Sequence, residues 1–149
     1  MPRPRRCQIH YRDVRKHRWK YRLDDAYHEH VTALKTGARV SDEDNFVVLE
    51  PEGLIRLARG YAWDGPSGPT IDTPNFMRAS LVHDGLYQLM RIGELDHERW
   101  RLAADEELRK ICLADGMQAW RANMVFRFVR LGGVRRATTR LTSRRMCAP

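Results

Sequence analysis

Cysteine is sparse in this chain, and what there is does not pair. Cys7, Cys112 and Cys147 are the three thiols in 149 residues, and no C-x-x-C spacing joins any two of them. That excludes a disulfide framework and a thiolate zinc site, leaving reduced thiols as the expectation. Long apolar runs are missing too. No stretch approaches the roughly 20 apolar residues of a membrane span, and the opening MPRPRRCQIHYRDVRKHRWK has no apolar segment of the secretory kind. A soluble chain made in the cytosol is expected. Nor is there an internal repeat. His10, His17, His28, His30 and His97 are scattered, without the helical or short-loop spacing that a histidine metal cage needs. A metal phosphohydrolase of the H…HD…D type would require an upstream His on a helix, whereas His28 and His30 sit in strand-like sequence.

Acidic residues are absent from one whole stretch. Residues 116–149 carry eight Arg and no Asp or Glu, and residues 1–20 carry eight Arg or Lys against Asp13 alone. The formal net charge is +8, yet positions 21–115 hold 11 basic and 18 acidic residues, a net of −7. An acidic middle between basic ends suits nucleic acid, an anionic lipid surface or an acidic protein neighbour in an assembly, and also a solvated basic face with no partner. Nucleic acid is the weakest of these, because no recognition-helix signature or base-stacking aromatic pattern appears.

What is there reads as a single α+β domain, an N-terminal antiparallel sheet followed by three helices. A chain of this length buries roughly two thirds of its unfolded surface and needs no staple to fold. The divisions are a basic arm over 1–20, the domain over 21–133 and a basic tail over 134–149. The tail is Arg/Ser/Thr-rich, disordered alone or ordered by a partner. Within the domain, sheet is expected over 21–60, a Gly/Pro loop over 60–74 and helices over 74–132. RWKYRL and YHEHVTAL read as strands, FVVLE and LIRLAR as a hairpin turned at Pro51-Glu52-Gly53, and KTGARVSDEDN as a loop. Thr73-Pro74 opens the first helix, with Thr as cap and Pro at the first position, and Gly93 stops it. Asp96 caps the second, which carries Trp100, Ala104, Leu108 and Ile111 at helical spacing and ends near Asp115-Gly116. The third presents Met117, Trp120, Met124, Phe128 and Leu131 on one face, expected to be core, and halts at Gly132-Gly133.

One constellation could carry chemistry. GYAWDGPSGPTIDTP is a Gly/Pro-rich loop of the kind that exposes backbone carbonyls to a hard cation, though a structural turn would look the same. Trp63 within it is either a core cover or an exposed anchor at a lipid or protein interface. Downstream, His83 and Tyr87 are four apart on one helix face, and Asp84 points elsewhere. Asp105, with Leu108 and Cys112 at i+3 and i+7, belongs on or beside the buried face of the next helix, where a carboxylate needs a partner. A helical hairpin could bring Asp105 against His83 and Tyr87. Asp105 would then fix the imidazole tautomer and His83 would take a proton from water. Asp84 with loop carbonyls would hold a divalent ion over the developing oxyanion. The same set could instead brace the helix pair as a purely structural network.

The ordered residues Gly60, Asp64, Ser67 and Pro69, then Ala79, His83, Asp84, Leu86 and Tyr87, then Ala104-Asp105, then Val129-Arg130 before Gly132-Gly133 carry a resemblance. They resemble a family of short tailed-phage and prophage proteins with the pattern G-x-x-x-D-x-x-S-x-P, A-x-x-x-H-D-x-L-Y, A-D and a Val-Arg-x-x-Gly helix end. The likeness spans residues 56–133 and implies a virion or tail-region product, made in the host cytoplasm, with other virion proteins as partners. The helical pair is also similar to the viral and secreted phospholipase A2 group. There a Gly-rich calcium loop precedes H-D-x-x-Y, and a distant Asp completes a dyad. That likeness implies His83 as base, with Tyr87 and Asp105 as its supporting hydrogen-bonding pair. It implies Asp84 as the carboxylate on Ca2+, with carbonyls of Trp63, Gly65 and Ser67 as further ligands. Together these lead to the expectation of a phage tail or virion component carrying a phospholipase-like centre. The alternative is an active calcium-dependent phospholipid hydrolase acting on anionic membrane lipid.

Overall fold

The computed structural model describes residues 9–14, 19–65 and 73–138. Among these, β1 (Tyr11–Asp13), β2 (Tyr21–Leu23), β3 (Tyr27–His30), β4 (Val40–Ser41), β5 (Val47–Leu49), β6 (Leu54–Leu57) and β7 (Ala62–Trp63) precede α1 (Pro74–Arg91), α2 (His97–Ala114) and α3 (Ala119–Thr138). The domain is α+β with its sheet first, as its sequence predicts. The strands form two antiparallel sheets, ordered β1-β2-β7 and β3-β6-β5-β4. The expected hairpin is β5 and β6, with Val47↔Leu57 and Leu49↔Ile55 in register. Gly53 closes its turn at φ +90°, and a Cβ there would lie 2.7 Å from the Val31 carbonyl oxygen, so only glycine fits. In β6, Leu54, Ile55 and Leu57 are buried while Arg56 faces out.

Two short strands occupy stretches whose polarity suggested otherwise. β4 lies inside the polar segment expected to be loop, where it pairs Val40 with Leu49 and covers the open edge of β5. β1 lies inside the basic arm, paired to β2, and the Tyr11 ring packs edge-on to Tyr21 and Trp63 at 5.5 and 5.7 Å. Trp63 itself is 1% exposed and donates its indole N–H to Ser80 Oγ at 3.2 Å, so it is core cover and ties the first sheet to α1.

The helix limits follow local chemistry. Pro74 occupies the first turn of α1, but Thr73 does not cap with its side chain; its hydroxyl donates to Asn75 Oδ1 at 2.6 Å instead. The chain leaves α1 through Gly93 at φ +83°. Asp96 caps α2 by accepting from the Glu98 amide at 3.0 Å.

α3 departs from expectation in two ways. It runs through Gly132-Gly133 to Thr138. Its large apolar stripe also faces outward: only Met117, just before the helix, is buried, whereas Trp120 is 64% and Leu131 87% exposed. The inward face is made of smaller side chains, with Ala122 and Val125 buried and Val129 partly so, which lets α3 lie close to its neighbours. The tail beyond Thr138 lies outside the described residues, as do Cys7 and Cys147. Cys112 is a buried free thiol whose pKa desolvation pushes up to about 12, so it is inert.

Candidate functional site

Gly85 sets the orientation of α1. A Cβ at this position would lie 2.9 Å from Leu57 Cδ2 and 3.4 Å from Ile55 Cδ1, so the sheet presses directly on the helix there. His83 and Tyr87 are each two residues from Gly85, about 200° around the helix, and therefore look away from the sheet toward α2 and α3. From α2 comes Asp105, 0% exposed.

The three expected catalytic residues do meet. His83 Nε2 lies 2.7 Å from Asp105 Oδ1, and the Tyr87 hydroxyl donates to the same oxygen at 2.7 Å. The imidazole and phenol rings lie against each other, tilted by 36° with centroids 4.1 Å apart. A carboxylate on Nε2 fixes the tautomer with the proton on that nitrogen and leaves Nδ1 as the position able to accept a proton.

Two arginines complete the cluster. Arg130 of α3 donates from Nη1 to Asp105 Oδ2 at 2.8 Å, and Arg101 donates from Nη1 to the Arg130 carbonyl at 3.2 Å. Neither was a candidate on spacing alone, although Arg130 stands in the Val-Arg element of the sequence pattern. The available signal was the acid-free α3, whose arginine next to the inward Val129 had a carboxylate to find.

Burial by itself would raise the Asp105 pKa; the bonds from His83, Tyr87 and Arg130 outweigh it and hold the group below the usual carboxylate range. The Tyr87 pKa is raised, first by desolvation and then by the Asp105 charge, so the phenol stays neutral and donates. Asp105 is thus an ionised hub whose donors come from α1 and α3, joining all three helices.

The metal candidates are Asp84 and the main-chain carbonyls of Trp63, Gly65 and Ser67. Asp84 is half-buried on α1, and among the described residues no three His, Cys, Asp or Glu side chains gather to hold an ion. Ser67 lies outside the described residues. Gly65 has a steric reason to be glycine: its φ is +72°, and a Cβ there would lie 2.4 Å from Tyr21 Cε2. A hard cation takes six to eight oxygens, and beyond Asp84 the proposed calcium set would rest on main-chain carbonyls. No step is therefore routed through calcium. His28 and His30 lie on β3 with their side chains exposed.

A second polar cluster braces the fold. Arg78 makes two bonds to Asp115, at 3.0 and 2.8 Å, and reaches Glu29 Oε2 at 2.5 Å and the Tyr27 hydroxyl oxygen at 3.3 Å, linking β3, α1 and the end of α2. Among the described residues, no helix is long and apolar enough to cross a membrane. The fold and site define an α+β domain whose three helices are clasped around one buried carboxylate. No family model, curated protein or solved structure matches the chain.

Proposed function

We propose that this chain is a structural or assembly component of a tailed-phage particle, in the tail region, and that its phospholipase-like His83–Asp105 centre serves as a helix clamp. The observation that carries this reading is the three-way pairing of Asp105. Its carboxylate takes donors from His83, Tyr87 and Arg130, so the dispersed H-D-x-L-Y, A-D and Val-Arg elements share one contact. The positive charge of Arg130 on that carboxylate offsets the charge on which an imidazolium formed during catalysis would lean. A pattern that meets in this way is accounted for by folding alone. The test is to purify particles from a host carrying the wild-type gene and from one with the gene deleted. The protein is expected in the particles at a fixed ratio to the other tail chains, and deletion should yield defective particles. Its absence from purified particles, with deletion leaving them normal, sinks the reading.

A second reading, a phospholipid hydrolase, is favoured by the His83 tautomer. Nε2 is held and Nδ1 is left to take a proton from water. Fatty-acid release from anionic vesicles, with calcium or chelator, separates the two. Release lost in both His83→Ala and Asp105→Asn, each checked for folding, supports the hydrolase; none from well-folded wild type removes it.

A further inference from the structure

We propose that the outward face of the α2–α3 hairpin is a homodimer interface, occupied by a second copy of this chain packed face to face. Six of the seven large hydrophobic residues exposed among the described residues lie on these two helices: Leu102, Leu113, Trp120, Met124, Phe128 and Leu131. They flank one seam. Arg109 Nε donates to Asn123 Oδ1 at 2.7 Å across it, and Arg101 reaches the Arg130 carbonyl farther along. Leu102 and Leu113 stand at i−7 and i+4 from Arg109, while Trp120 and Arg127 stand at i−3 and i+4 from Asn123, so these border the seam from their own helices, with Met124 and Leu131 farther round the exposed side of α3. Exposed apolar side chains gathered on one pair of helices in this way mark an interaction surface.

Charge selects the occupant. Exposed Glu98 and Glu106 flank Leu102 on α2 beside exposed Arg99 and Arg109, and exposed Arg127 stands in the apolar row of α3, so the face carries both signs. An anionic lipid surface or an acidic protein would draw the arginines and repel both glutamates. A copy of the same face attracts both signs. A two-fold axis along the seam lays α2 of one protomer on α3 of its partner as an antiparallel four-helix packing, the self-complementary contact that a dimer requires. Register follows from the Arg109–Asn123 bond. Counting along the antiparallel helices, Leu113 falls within one residue of the level of the partner's Trp120, Glu106 within one of the partner's Arg127 and Leu102 within one of the partner's Leu131. Two such helices make a face about 27 Å long and about 20 Å wide, hence about 1,100 Å² buried in total, near the lower end of stable interfaces. A dissociation constant on the order of micromolar is expected. The proposal does not depend on the assembly reading above.

The test is sedimentation equilibrium of the full chain from about 1 to 200 μM, with vesicles of anionic phospholipid as a separate arm. A monomer–dimer equilibrium is expected. Met124→Asp and Leu131→Asp should each weaken it by at least about tenfold without changing the circular dichroism, since both side chains are exposed. Glu106→Arg and Arg127→Glu should each weaken it, and the double swap should recover most of the loss. A monomer throughout, a species other than dimer, indifference to these changes, or vesicle binding through Met124 in place of dimerisation overturns the proposal.

Discussion

Replacing Asp105 by Asn probes the hub at its centre. The amide keeps the shape and one acceptor, so its oxygen can still receive the bonds of His83 and Tyr87. Its NH2 group then faces Arg130 Nη1, donor against donor, at a position where the carboxylate now accepts at 2.8 Å. Removing one partner of a buried ion pair costs about 3–5 kcal/mol, and because the Arg130 side chain is 30% exposed and can turn to water, a loss of about 3 kcal/mol is expected. For a chain of this length that corresponds to a fall in Tm of about 6–12 °C. The pH dependence has a definite direction. A carboxyl held low in the folded state contributes stability above its unfolded pKa of about 3.9 and loses it as pH falls through the lower folded pKa. The gap between wild type and variant should therefore close in strong acid. Urea unfolding followed by far-ultraviolet circular dichroism, from neutral pH into strong acid, measures both quantities. A variant within about 0.5 kcal/mol of wild type at pH 7, or a gap that does not narrow in acid, refutes the assignment of Asp105 as the ionised hub.

Gly65→Ala should cost about 2–4 kcal/mol in the same urea assay, because the left-handed backbone and the Tyr21 ring both oppose a Cβ; a loss below about 0.5 kcal/mol would disprove this. Asp42→Asn should stabilise by about 1 kcal/mol at pH 7. The Asp42 pKa is raised chiefly by burial, and an amide keeps the acceptor for the Val47 N–H; Gln88, which donates Nε2 to Asp42 Oδ2 at 3.1 Å, turns its amide over so that the orphaned Oε1 receives the new donor. That gain should shrink as pH falls through the raised folded pKa, where wild-type Asp42 also becomes neutral; a gain independent of pH contradicts the account. Arg78→Met strands Glu29 and Asp115, so thermal unfolding should show a loss of about 3 kcal/mol. Arg78→Lys should recover under half of it, since an ammonium cannot reproduce the two-toothed contact with Asp115; equal stability of the Lys variant and wild type counts against the cluster.

α1 and α2 were legible because punctuation and periodicity agree: Pro74, Gly93, Asp96 and Gly116 all stand at element ends. α3 was misread because periodicity finds a face without saying which way it points. Its sequence carries two apolar rows, and the bulkier one, from Trp120 to Leu131, was mistaken for the core. The helix buries Ala122 and Val125 instead, since close approach to α1 and α2 favours small side chains. Gly132-Gly133 looked terminal, yet glycine inside a helix costs only about 1 kcal/mol and does not by itself end one. The meeting of His83, Tyr87 and Asp105 followed from i,i+4 spacing and a short helical hairpin. Arg130 did not, because its partner lies on a helix 25 residues earlier and nothing local marks the approach.

Thirteen of the 18 residues of α1 are buried, with the sheet against Gly85, Trp63 over Ser80 and the other helices around His83 and Tyr87. A helix enclosed on every side belongs to neither half of the chain. The strand-rich first half and the helical second half look like separable modules on paper, yet they share one interior and should melt as one cooperative unit. A recombination event that exchanged either half for a foreign one would have to rebuild every surface around α1 at once. The two halves are thus expected to fold only together.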